Sequence, residues 1–399
     1  MVSAAARPYI DASVPVLREH GLAITQTFYR NMFAAHPELT NLFNMGNQAS
    51  GVQQQSLAAA VFAYAANIDN PGALGPVVSR IVHKHASVGI RAEHYPIVGR
   101  HLLGAIQEVL GEAATPALLA AWDEAYSELA DALIKVEQEL YQSAGVTPGQ
   151  LRDLRVVEVR QQSGDVKSFT LQAEDGKPLP GFKAGQYVSV AVDFGGGRRQ
   201  LRQYSLSDAP GAERLRISVK REPAGADNPA GEVSNWLHEN VSEGSILSIT
   251  QPFGDFTPDT ESAEPVVLLS AGVGITPMIS ALNRIARVNR ARYVIFAHAA
   301  RSPEYHAHRA DIAAAKKAMP NLQVVTFYEA PGAEGDADTH AGFMDLARLP
   351  HWPRSETNVY LCGPTGFMQA QWQSLVAAGV PASRLYREVF GPELLDHLV

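Results

Sequence analysis

The run Arg202-Gln203-Tyr204-Ser205, inside RRQLRQYSLSD, places a guanidinium, an aromatic ring and a hydroxyl close together. Arginine pairs bidentately with pyrophosphate, tyrosine stacks on a flat ring system, and serine hydrogen-bonds a ring nitrogen or a ribityl chain. That set suits a flavin dinucleotide; an exposed strand with alternating polar residues would read the same way. Further on, Gly231-Glu-Val-Ser234 reads as a loop entering a short helix, where backbone N–H groups and Ser234 could receive pyrophosphate or serve only as a cap. The apolar run 266–270 then passes through Ala271-Gly272-Val273-Gly274-Ile275-Thr276 into Pro277, which stands where a first helical turn begins. Glycines there let a dinucleotide phosphate approach the backbone, although the full three-glycine fingerprint is absent. A second turn of this kind, Cys362-Gly363-Pro364, follows the apolar run 358–361, and Cys362 reads equally as a buried thiol at a strand end.

A different chemistry is suggested earlier in the chain. Stepping by three and four places His85 with Val78, Ile81 and Val88, whereas His83 falls with Ser79, Arg80 and Ser87. A histidine on an apolar stripe is either a satisfied core residue or a ligand. Gln53 lies on the stripe of Leu57 and Val61, Tyr29 lies with Thr25, Met32 and Phe33, and Phe43 follows the Pro37 corner. Glu137 shares a face with Tyr126, Ala130, Leu133 and Leu140, and a carboxylate there needs a partner unless it reaches solvent. Tyr95 is on a stripe with Val98 and Leu102, and His101, with Ile97 and Val98, is a second candidate for a ligand.

These residues need elements to position them. Helical periodicity runs through 16–33, 53–64, 77–88, 97–110 and 118–140, with no strand pattern between them. Residues 143–151 read as a linker. Short alternating segments follow, including 186–192 and 214–221, which fit a small antiparallel barrel. After about residue 260 the apolar runs 266–270, 293–298, 323–328 and 358–362 alternate with helices, the pattern of a parallel α/β unit. The expected division is therefore 1–142 all-α, 143–151 linker, 152–260 antiparallel β-barrel and 261–399 α/β.

At 399 residues the chain is too long for one ordinary core, and hydrophobic content of 46% with 19% charged residues suits a globular protein. The net charge of −8 offers no basic footprint for nucleic acid or an anionic membrane surface. No apolar run is long enough to span a bilayer, and no signal-peptide pattern opens the chain. One cysteine, Cys362, excludes an intramolecular disulfide and a cysteine-held iron–sulfur cluster, so a cytoplasmic setting is expected.

Taken together, the order and motifs over essentially the whole chain resemble flavohaemoglobin, a globin fused to a ferredoxin-reductase-like flavin and nicotinamide module. The resemblance implies haem b on His85, with Phe43 packed on the porphyrin, Leu57 and Val98 as apolar walls, and Tyr29 and Gln53 facing the bound gas. It implies that Tyr95 and Glu137 hydrogen-bond the proximal histidine, which raises its basicity. It further implies FAD on Tyr187, Arg202, Gln203, Tyr204, Ser205, Gly231 and Ser234. NADH or NADPH would bind on residues 271–276 and 362–364; the family commonly has glycine where this chain has Ala271. Phe390 would cover the flavin within Glu388-Val389-Phe390-Gly391, with Glu388 and Lys84 at the edge facing haem. The activity implied is nitric oxide dioxygenation, in which O2 and NO become nitrate and FAD re-reduces the iron. An oxygen sensor or store is an alternative. So is a flavin reductase acting on ferric iron, a quinone or a peroxide. The sequence is equally compatible with gas, a lipid or an inhibitor in the distal pocket, and with either nicotinamide donor, since Arg301-Ser302 could meet a 2′-phosphate or be ordinary loop residues.

Overall fold

A computed structural model describes residues 2–392 except 212, 226–228 and 332–336. The first third is helical: α1 (Arg7–Ala35), α2 (Met45–Ala49), α3 (Val52–Ala66), α4 (Gly75–Val88), α5 (His94–Leu110) and α6 (Pro116–Ala144). Local chemistry sets several ends. Thr115 accepts from the Leu118 amide at 3.2 Å to cap α6, with Pro116 in the first turn. Gly89, at φ 81°, ends α4, and a Cβ there would meet the Gly149 backbone at 2.5 Å, so the linker crosses directly over the end of α4. The helices close on a core of Ile10, Ile24, Phe28, Met32, Leu102, Ala105, Trp122 and Ala125.

The middle segment contributes β1 (Arg152–Gln161), β2 (Val166–Ala173), β3 (Tyr187–Asp193), β4 (Arg199–Ser205), β5 (Leu215–Lys220), α7 (Glu232–Asn240) and β6 (Ile246–Ile249). Its strands form one antiparallel six-stranded sheet in the order β4-β3-β6-β1-β2-β5. The sheet curls until its edges meet: Leu206 bridges Ile217, and the Ser207 amide donates to the Arg216 carbonyl at 2.7 Å. Alternating residues along its strands fill the interior, Leu154, Phe169, Val188, Val190 and Ile217 among them. The β3–β4 register sets Tyr187 opposite Ser205 and Val190 opposite Arg202.

The last segment is the expected parallel α/β unit, with β7 (Val266–Ala271), α8 (Ile275–Val288), β8 (Val294–Ala300), α9 (Arg309–Ala318), β9 (Leu322–Tyr328), β10 (Thr339–Ala341), β11 (Asn358–Cys362), α10 (Thr365–Ala377) and β12 (Leu385–Glu388). Strand order β10-β9-β8-β7-β11-β12 makes β7 and β11 neighbours although two strands of the unit lie on the far side of β8. The order in which strands are added to the sheet reverses between parallel neighbours β7 and β11, and ligands of such sheets bind beyond the strand ends at that crevice. The edge strands β10 and β12 were not among the strands expected.

The three units are fastened together. The Asn41 amide group donates to the Gly197 carbonyl at 3.1 Å, its oxygen accepts from the Arg199 amide at 3.0 Å, and Gln200 donates to the Thr40 carbonyl at 2.9 Å. On the other flank His83 Nδ1 accepts from the Gly254 amide at 3.0 Å. Between barrel and α/β unit, buried His308 spans Asp311 at 2.9 Å and Ser218 at 3.0 Å, and Arg216 pairs with Asp311 at 3.1 Å. His308 holds φ 61°, a left-handed conformation that no other described non-glycine residue adopts. Among the described residues, no helix is long and apolar enough to cross a membrane.

Candidate redox site

The α4 helix delivers His85, whose side chain is 34% exposed although α6 packs behind it. Its Nδ1 is 2.8 Å from Glu137 Oε1 and 3.2 Å from the Tyr95 hydroxyl, and Tyr95 donates to the same carboxylate oxygen at 2.5 Å. Glu137 is buried, at 2% exposure, so the carboxylate on the apolar stripe of α6 has the two partners its burial requires. Tyr126 donates to the Tyr95 carbonyl at 2.7 Å and fixes that ring in turn. Burial, and then the adjacent Glu137 charge, push the Tyr95 hydroxyl well above its ordinary range, so it stays a donor. With Nδ1 committed, Nε2 is the nitrogen left to a metal, which fits an iron on the open side of His85.

That side is a cavity of about 340 Å³ whose wall includes Phe43, Gln53, Ile81, Lys84 and His85. Tyr29 is buried behind it within hydrogen-bonding reach of Gln53 and Gln48, and burial raises its hydroxyl to about 12. Leu57 and Val98 are half-buried against the helical core and are not in the wall of this cavity. His101 faces the His36 ring, 5.6 Å between centroids, away from this cavity.

The same cavity continues into the barrel. Tyr187, Arg202, Gln203 and Ser205 line it, together with Glu388, Val389, Phe390 and Gly391. The Ser205 hydroxyl is buried without a protein partner, an orphan that a flavin's polar edge would satisfy. Arg202 donates to Gln200 at 3.0 Å and to the Leu201 carbonyl at 2.7 Å, and burial lowers its pKa. Tyr204 packs against the barrel core rather than in the cavity wall. Gly231 and Ser234 also lie off the cavity. The Ser234 hydroxyl donates to the Gly231 carbonyl at 3.1 Å and accepts from the Glu222 amide at 3.2 Å, which fastens the start of α7. Lys84 donates to the carbonyls of Val389 (3.5 Å) and Gly391, joining the histidine helix to the segment after β12.

A second cavity, about 900 Å³, opens beyond the ends of β7 and β11. Ala271, Gly272, Val273, Gly274, Gly363 and Pro364 line it, and Val389 and Phe390 line both cavities. Gly272 stands at φ 54° with open space beside it, as a turn under a phosphate requires. Gly274 answers a different need: a Cβ there would meet the Cys362 carbonyl oxygen at 2.3 Å. Ile275 and Thr276 are buried, Thr276 donating back to the Val273 carbonyl at 3.0 Å. Cys362 is fully buried under this floor, opposite Glu388 in register, and burial pushes its thiol up, with Glu388 adding to the shift. It is the buried strand-end thiol, not a wall residue.

Comparison with known proteins agrees with this arrangement. The Globin family matches residues 26–133, the oxidoreductase FAD-binding domain 153–257 and the oxidoreductase NAD-binding domain 268–373. A curated flavohemoprotein of Bordetella parapertussis is 48% identical, with 98% of this chain and 99% of that protein covered. The chain belongs to the flavohemoprotein family. A flavohemoglobin of Malassezia yamatoensis, solved with FAD and haem bound, superposes with a TM-score of 0.85 at 31% identity, covering 98% of this chain and all of that one. The FAD/NAD-binding domain of a nitric oxide dioxygenase from Vibrio cholerae matches 60% of the chain at 38% identity, TM-score 0.55. The chain is thus an oxidoreductase that takes haem, FAD and a nicotinamide dinucleotide.

Two residues at the centre of this geometry escape a reading by periodicity. Gln48 lies on the five-residue helix α2, too short for a stripe, yet reaches Tyr29 and accepts from Gln54 at 3.0 Å. Ser87 fell with the polar face of α4 but is fully buried against the barrel.

Proposed function

We propose that this flavohemoprotein is a nitric oxide dioxygenase, turning NO and O2 into nitrate at haem. The observation that carries it is that the His85 side of the helical unit and the Arg202–Ser205 side of the barrel open on one cavity. An oxygen store has no use for that adjacency, whereas an enzyme whose iron ends each cycle oxidised needs it. When bound, the nicotinamide gives up a hydride, the flavin divides the electron pair, and the haem takes single electrons and the gases.

The side chains divide the remaining work. His85 holds the iron through Nε2, while Glu137 and Tyr95 hold its other nitrogen and keep the ring electron-rich. Tyr29, with its hydroxyl at about 12, stays protonated at any physiological pH and, with Gln53, offers donors in a dry pocket where negative charge develops. Phe43 packs beside the porphyrin and Lys84 holds the tail that carries Phe390. Arg202, Gln203, Ser205 and Tyr187 seat the flavin, and Gly272 and the start of α8 receive the dinucleotide phosphate. The division at 1–142, 152–260 and 261–399 is part of this reading, as is a cytoplasmic setting, where the lone buried thiol would stay reduced.

The test is NADH- or NADPH-dependent loss of nitric oxide in air by the purified, haem- and FAD-loaded protein. Rapid loss with nitrate as product is expected. Loss no faster than in buffer, or loss that persists in His85→Ala, would end the proposal.

A further inference from the structure

Ser87 lies two residues beyond His85 on α4 and has no exposed surface. A serine hydroxyl offers one donor and two acceptor positions, and two are used here. Ser87 Oγ donates to the Lys84 carbonyl at 2.8 Å and accepts from Gln203 Nε2 at 2.6 Å, with the Tyr187 hydroxyl within reach. Gln203 belongs to β4 and Tyr187 to its neighbour β3, so the flavin cradle reaches the histidine helix at this hydroxyl. Elsewhere on α4, His83 meets a backbone amide after β6, and Lys84 meets carbonyls after β12.

The placement matters more than the count. Lys84 and Ser87 sit on either side of His85, one holding the segment with Phe390, the other holding the strand with Gln203. A shift of the barrel relative to α4 would break the bond from Gln203 and leave the buried Ser87 hydroxyl one partner short, which costs free energy.

We propose that Ser87 is the positioning residue that fixes the flavin strands against the helix bearing His85, and so sets the rate at which electrons pass from flavin to haem. This rests on the electron-transfer part of the function proposed above. Each passage oxidises reduced flavin by one electron and reduces one ferric iron to ferrous, the accompanying proton leaving to solvent. The electrons come from the nicotinamide as a hydride pair. Ser87 touches neither reacting group; it acts through Gln203, Tyr187 and the Lys84 carbonyl.

The experiment is anaerobic stopped-flow mixing of the haem- and FAD-loaded protein with NADH, following flavin bleaching and haem reduction separately. In Ser87→Ala, flavin bleaching should keep its native rate while haem reduction slows about fivefold, as expected for losing one net hydrogen bond across the contact. Haem and FAD content and both midpoint potentials should stay native, so that the change is one of geometry and not of driving force. Amide exchange should quicken in α4 and β4 together, with or without cofactors. Ser87→Thr, which keeps the hydroxyl, should restore the haem phase. If Ser87→Ala fails to hold its cofactors, Ser87→Cys keeps the volume with a much weaker hydrogen-bonding group and should show the same slow phase. Native haem reduction in these variants, or equal slowing of both phases, overturns the proposal while leaving the function intact. Native protein whose haem is never reduced overturns the function and this inference with it.

Discussion

Glu137 is the residue on which the character of the haem site turns. Its carboxylate is enclosed by helix, yet it takes both Tyr95 and His85 on one oxygen. Glu137→Gln preserves shape and removes the charge. His85 then becomes a poorer electron donor, so the haem midpoint potential should rise and nitric oxide consumption should fall about ten- to hundredfold with iron still bound. Spectroelectrochemistry checks the first outcome and an NO electrode the second; an unchanged potential would mean the carboxylate only orients the ring. The stripes of α4 and α6 marked His85 and Glu137 as polar groups on apolar faces, but read alone they allowed a glutamate reaching solvent, and only the family resemblance implied the trio. They were silent about Gln48 and Ser87, since periodicity tells which face a residue occupies and not what another domain brings against it. For Leu57 and Val98 the stripes gave only an apolar face, since such a face has width and only part of it meets the cavity.

At the scale of elements, the contact between the start of α8 and the end of β11 leaves no room for a methyl group. The neighbour at Gly274 is backbone, the Cys362 carbonyl, which cannot swing aside as a side chain would. Gly274→Ala should cost about 1–3 kcal/mol, lower the melting temperature by several degrees, and weaken NADH-driven flavin bleaching more than the spectrum of the haem. A native melting curve would show that the strand end yields. The β8–α9 region makes a pH prediction. Burial takes His306 from the ordinary 6.5 down to about 4, and also holds His298, against whose ring it lies at 4.5 Å, well below its ordinary value. The unfolded chain therefore binds more protons than the folded one between those values, so stability present above pH 6.5 is lost as pH falls toward 4. His306 alone accounts for on the order of 3 kcal/mol. Thermal melts from pH 7 to pH 4.5 should drop steeply, and His306→Gln should flatten the slope. The Asp311 carboxyl, held well down by His308 and Arg216 against the effect of its burial, adds its own loss only at more acid pH. Most of these elements could be read from apolar periodicity. The exceptions are instructive: α1 runs back through Pro15 to Arg7, because one missing amide does not stop a helix whose face is already buried. The edge strands β10 and β12 are too short to alternate visibly, and their pairing to β9 and β11 is tertiary information.

For the whole molecule, the decisive fact is that its units meet on both flanks of one cavity, through Asn41 and Gln200 on one side and His83, Lys84 and Ser87 on the other. The order of the units was legible, since each carries its own periodicity. Their docking was not, because it rests on single polar side chains that meet across more than a hundred positions of chain. That docking has a kinetic corollary. A globin served by a separate reductase must wait for an encounter, so its turnover per molecule falls whenever the protein is diluted. Here donor and acceptor are held at a fixed effective concentration, of the kind that short tethers place near the millimolar range. Turnover per chain at saturating NADH should therefore stay constant as protein is diluted about a thousandfold, a range over which a bimolecular partnership would lose activity in proportion to concentration. A cell carrying only a few copies would command the same reductive power per copy as one carrying many.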